Sequence, residues 1–89
     1  MIDFEKYNLN VEDVKFFFEI EDYCINGQSE VVLKYKGKSF VLEPSGEEVS
    51  VYAYDKSLGR YKNFDELFLN HKIDGKPLIE IIKDLDVGD

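Results

Sequence analysis

Asn26-Gly27 stands between two apolar-rich runs, residues 14–25 and 30–35, and it restricts what this chain can fold into more than any other dipeptide in it. Asn-Gly is the strongest short-range hairpin signal, because a type I′ turn needs positive φ at both central residues. A two-residue loop here sets Ile25 opposite Gln28, Ile20 opposite Leu33 and Phe18 opposite Tyr35. It also sets Glu19 opposite Lys34, a cross-strand pair of favourable sign. The run before the turn alternates as a strand does: Val14, Phe16, Phe18 and Ile20 against Lys15, Phe17, Glu19 and Glu21. A helix is the competing reading, with Asn10 as its cap and Glu12 and Asp13 in its first turn. A helix that turns Val11, Val14 and Phe18 inward leaves Phe16 and Ile20 on its far side, whereas the strand exposes only Phe17. The expectation is therefore a strand.

The alternation continues beyond the turn. Gly37 sits in a second turn, either as Gly37-Lys38 or as Lys36-Gly37, and both choices keep the same faces. Pro44-Ser45-Gly46-Glu47 reads as a third, longer turn, setting Leu42 opposite Val49 and Phe40 opposite Val51. One face then gathers Phe16, Phe18, Ile20, Val31, Leu33, Tyr35, Phe40, Leu42, Val49, Val51 and Ala53. A sheet with such a face must be covered. The cover is expected from the C-terminal third. Residues 55–60 read as a polar connection, and Asn63 with Glu66 offers a helix start. Phe64, Leu67, Phe68 and His71 share a helical stripe, and Ile73-Asp74-Gly75-Lys76 interrupts it. Pro77 then opens a second helix with Leu78, Ile81, Ile82 and Leu85 at i, i+3, i+4 and i+7. The predicted fold is α+β: a four-stranded antiparallel meander (residues 14–24, 29–36, 39–43 and 48–54) with helices at 64–72 and 77–86 packed on one face. Its 89 residues make one domain, 1–89.

Composition narrows the function classes. The net charge is −8, with −6 in residues 1–30, +2 in 31–62 and −4 in 63–89. Nucleic-acid binding requires concentrated Lys and Arg to displace counterions, so no nucleic-acid partner is expected. No apolar run is long enough for a membrane span, and the first residues lack a secretory pattern, so no membrane partner is expected either. The single cysteine, Cys24, precludes an internal disulfide and points to a reducing, cytoplasmic setting. With one histidine and one cysteine, zinc spacing cannot be met. A nucleophilic pair would require Cys24 and His71 to touch, which nothing in the pattern supports. The tail, residues 84–89, lacks the acids of a calcium loop and reads as a frayed acidic end. No catalytic residue, metal ligand or cofactor is expected.

The second face of the predicted sheet holds the one functional clue. Among its charged and small residues lie Phe17, Val32, Val41, Tyr52 and Tyr54, with Lys34 and Lys36 between them. A freely solvated face would carry fewer apolar side chains. Either the N-terminal segment with Ile2, Phe4 and Tyr7 folds over it, or it receives a partner, since tyrosine-rich patches of mixed charge suit interfaces. Phe17, Val32, Lys34, Lys36, Val41, Tyr52 and Tyr54 are the candidate interaction surface. The function expected is a small acidic non-enzymatic protein-binding module, with an inhibitor or immunity-type protein that caps a basic enzyme as its concrete form. A homodimer through the same face and a small-ligand-binding protein are the alternatives.

Overall fold

The computed structural model describes residues 2–88. Residues 11–21 are not a strand. They form helix α1 (Val11–Glu21), which continues as a π-helical turn over Asp22–Asn26. The cap is reciprocal: the Asp13 N–H donates to Asn10 Oδ1 at 2.9 Å, and the Asn10 N–H donates to Asp13 Oδ2 at 3.1 Å. The inward stripe is Phe17, Ile20 and Cys24, at i, i+3 and i+7. It differs from the Val11–Val14–Phe18 stripe that made a helix look unfavourable. Successive helical residues are about 100° apart, so Phe16, Phe17 and Phe18 splay around the axis, and only Phe17 enters the core, at 1% exposure.

Asn26-Gly27 consequently ends a helix and does not turn a hairpin. Gly27 has φ −80°, and its N–H donates to the Asp22 carbonyl at 2.9 Å. A Cβ at position 27 would lie 2.5 Å from the Tyr23 carbonyl oxygen, so glycine is needed for close approach. The chain reverses one residue later, at Gln28 (φ 47°). The expected Glu19–Lys34 strand pair therefore does not exist.

Five strands make the main sheet: β1 (Val31–Tyr35), β2 (Lys38–Ser45), β3 (Glu48–Ala53), β4 (Lys56–Tyr61) and, after the helical region, β7 (Leu85–Val87). Their spatial order is β4-β3-β2-β1-β7, all antiparallel. The true type I′ signatures are Lys36-Gly37 (φ 50° and 80°) and Asp74-Gly75 (φ 54° and 79°), positive at both central residues. The first joins β1 to β2 and pairs Leu33 with Phe40. Between β2 and β3 the turn is tighter than expected, and Leu42 faces Val51 while Pro44 faces Val49. That shift is an even number of residues, so the faces are preserved. Pro44 lies past the last β1 pair, Val31–Leu42, where no ladder bond to β1 is required of it.

The expected polar connection at 55–60 is edge strand β4, with a bulge that leaves Leu58 between the Gly59–Val51 and Ser57–Tyr52 pairs. Helix α2 (Phe64–Asn70) starts where expected, its Asn63 side chain accepting from the Glu66 N–H at 2.8 Å, but ends short of the expected residue 72, because Lys72 belongs to a strand. A two-strand ribbon, β5 (Lys72–Ile73) and β6 (Lys76–Pro77), then reverses the chain. The expected α-helix at 77–86 is a 3-10 helix, Leu78–Asp84, followed directly by β7. Its rise of about 2.0 Å per residue, against about 1.5 Å for an α-helix, carries the chain further per residue and delivers Leu85 to the sheet opposite Tyr35. The tail is thus a paired strand up to Val87, and Asp89 lies outside the described residues.

The core lies on one side of the sheet. Val31, Leu33, Tyr35, Phe40, Leu42, Val49 and Val51 are buried there against Phe17, Phe64, Leu67, Phe68 and the apolar residues of the 3-10 helix. Ile2 joins this core, and the Phe4 ring packs edge-on to Phe17 and Phe18 at 5.2 and 5.6 Å. The N-terminal segment therefore covers the helical layer and not the opposite sheet face. Among the described residues no helix is long and apolar enough to cross a membrane.

Candidate functional site

The alternate residues of β1–β4 point away from the core. None of them is buried, so this face of the sheet is open. Its centre is one cross-strand row, Val32–Val41–Tyr52–Ser57. Val32, Val41 and Tyr52 are half-buried by their neighbours alone. One flanking row runs Asp86–Lys34–Ser39, and the other runs Glu43–Ser50–Arg60. Arg60 Nε donates to Glu48 Oε1 at 2.6 Å at the corner beyond. The structure thus presents a short apolar strip between charged borders. Directly opposed Val, Val and Tyr on adjacent strands also support one another as cross-strand pairs.

Of the seven residues expected on this surface, Val32, Val41, Tyr52 and Lys34 are brought together. Phe17 is a correction: it sits on α1 and is buried in the core, because its segment is helical. Lys36 occupies the β1–β2 turn, its Nζ 5.2 Å from the Tyr35 ring centroid, at the end of the sheet. Tyr54 occupies the β3–β4 turn with φ 56° and is 99% exposed, beyond the end of the strip. Arg60 and Asp86 belong to the face and are not anticipated by the sequence, which reads β4 as a connection and β7 as the end of a helix and a tail.

At the β7 edge the open face continues into a groove of about 330 Å³. One wall is a stripe of α1 and its π turn, Phe16, Glu19, Ile20 and Tyr23, at i, i+3, i+4 and i+7. The other is the start of β1 with the end of β7. Tyr23 and Val87 are 60% and 64% exposed at its mouth. Gly88 donates its N–H to the Val32 carbonyl at 2.8 Å, and a Cβ there would meet the stem of Lys34 at 3.0 Å. The helical spacing of Phe16, Glu19, Ile20 and Tyr23 was visible in the sequence, but a strand assignment scatters these residues over two faces.

The two reactive side chains occupy structural positions. Cys24 is fully buried, and burial pushes its thiol up to about 11, which suppresses the thiolate. His71, buried at the end of α2, is hydrogen-bonded through Nδ1 to the Tyr61 hydroxyl at 2.8 Å. Burial lowers the His71 pKa and raises that of Tyr61, so the pair is neutral. In the neutral pair the Tyr61 O–H donates to Nδ1 when the ring proton is on Nε2, and Nδ1–H donates to the hydroxyl oxygen in the other tautomer. Among the described residues no group of three or more His, Cys, Asp or Glu side chains is placed to hold a metal ion. Compared with known proteins, the chain matches no protein-family model, no curated protein and no solved structure.

Proposed function

We propose that this chain is a small acidic protein-binding module, without catalysis of its own, whose open sheet face docks a protein partner. The observation that carries the reading is the Val32–Val41–Tyr52 strip, an apolar row on the sheet face turned away from the buried core, with α1 beside its Val32 end. Strips of this kind, with aromatic and aliphatic centres and charged rims, resemble the core-and-rim pattern of interfaces. A net charge of −8 favours a basic partner and opposes the stacking of two copies of this chain. The inhibitor or immunity-type protein, which caps a basic enzyme, is the concrete form of this proposal.

The test is capture from the native host with the wild-type chain and with a Val41→Lys/Tyr52→Ala variant. Both substituted residues lie on the open face, so the variant keeps its circular dichroism, with a melting transition lowered by the lost cross-strand contacts alone. The expected result is one basic protein retained by the wild type and lost by the variant, with the free chain monomeric over a wide concentration range. Retention by both forms, or a dimer of the wild type that the variant dissolves, would overturn the proposal; the second outcome would establish the homodimer.

A further inference from the structure

We infer that the groove between α1 and the β7 edge takes a basic side chain, lysine or arginine, carried on an apolar-flanked segment of a partner protein. The inference rests on the protein-binding reading above and names the chemistry of the partner at a second, adjoining place. Phe16, Tyr23, Val32 and Val87 supply apolar walls, and the charged groups lining the groove are carboxylates, Glu19 and Glu30. Neither lysine nor arginine lines it. Lys34, whose stem crosses Gly88, lies opposite Asp86 in the sheet and outside the lining.

Several features converge on this occupant. Lys and Arg side chains bury their aliphatic stems along apolar surface and keep the charged head at a polar rim. An apolar groove edged by two carboxylates matches both halves of such a side chain. The aromatic walls add favourable faces for a cation, worth more as the site is desolvated. At about 330 Å³ the groove is at the bottom of the roughly 300–1,000 Å³ range of small-molecule pockets. That suits one or two anchoring side chains better than a cofactor. The walls are also exposed where they would meet a partner: Tyr23 and Val87 are two of the large apolar side chains that the fold leaves in solvent. Val32 belongs to both the groove and the strip, so one partner can engage both.

Amide shifts of the nitrogen-labelled chain, titrated to millimolar concentration with the peptide acetyl-Leu-Arg-Leu-Lys-Leu-amide, test this directly. Saturable shifts at Tyr23, Val31, Val32, Val87 and Gly88, weakening as salt is raised, are the expected result. A control peptide with glutamate in place of both basic residues should leave these amides unmoved. Glu19→Gln/Glu30→Gln, which keeps side-chain shape, should raise Kd about five- to thirtyfold, and Glu19→Lys/Glu30→Lys should abolish binding. Tyr52→Ala, two strands away from the groove, should leave the groove shifts intact, which separates this inference from the sheet-face proposal. Absence of shifts, equal response to the acidic peptide, or indifference to the glutamine pair would each overturn it.

Discussion

Phe17 touches four other phenylalanine rings, Phe4, Phe18, Phe64 and Phe68, with centroids 5.0–5.3 Å away and edge-to-face geometry. It joins the N-terminal segment, α1 and α2 at one point. Cutting it to alanine removes the ring contacts and leaves a cavity, so Phe17→Ala should lose about 3–5 kcal/mol, a large share of the roughly 4–13 kcal/mol expected for a chain this size. Phe18→Ala, on the next residue but half exposed, should lose far less. Urea denaturation of the two variants checks the contrast; equal losses would place the core elsewhere. The sequence pattern reverses these roles, because period two and period 3.6 both fit part of residues 14–20. Which period wins depends on contacts with Phe64 and Phe68, some fifty residues away. The Asn10–Asp13 cap was the local signal that favoured the helix, and it was legible.

The elements are held together by devices that local patterns do not reveal. Gln28, just after the helix end, reaches the β2–β3 turn with its side-chain amide. Its Nε2 donates to the Gly46 carbonyl at 2.9 Å, and its Oε1 accepts from the Gly46 N–H at 3.1 Å. Nε2 also reaches the Ile25 carbonyl at 2.6 Å, so one amide ties the π turn to the hairpin. Gln28→Ala should therefore destabilise by about 1–2 kcal/mol, allowing about 0.5–1.5 per bond and discounting for exposure. Hydrogen exchange should show the Gly46 amide losing protection while the Leu42 amide keeps it. Unchanged exchange at Gly46 would mean the bonds carry no weight. The meander from Val31 to Ala53 was readable because its alternation is regular and one face is wholly apolar. β4 was not, because an edge strand is free to be polar and a bulge breaks its alternation at Leu58. β7 was hidden for another reason. Three residues cannot display a period, and Leu85 fits the helical spacing of Leu78, Ile81 and Ile82 as well as it fits the sheet.

At the scale of the whole molecule, the candidate surface was legible only where the sheet was. Val32, Lys34, Val41 and Tyr52 came from the readable meander; the groove needed a helix and a terminal strand that pattern alone conceals. The same assembly sets how the fold responds to acid, through two groups that act in opposite directions. His71 is held neutral by burial, with its pKa below the ordinary 6.5. Below that pH the unfolded chain takes up a proton that the folded chain refuses. Stability is therefore lost as pH falls from about 6.5 toward the folded-state value, with a limiting slope of about 1.4 kcal/mol per pH unit. Glu21 is the reverse case. Burial first, then Asp65 and Asp22, raise its pKa above 4.5. Its charged form costs stability at neutral pH, and that cost is relieved as pH falls through the raised value. Denaturation midpoints followed from neutral pH down to about pH 5 separate the two contributions. His71→Asn retains an acceptor for the Tyr61 hydroxyl and should flatten the fall that begins near pH 6.5. Glu21→Gln should raise stability at neutral pH and, by removing the relief that offsets it, steepen the net loss on the acid side. If His71→Asn leaves the acid-side loss unchanged, the loss does not come from the buried ring, and because protonation of Glu21 acts in the stabilising direction it does not come from Glu21 either.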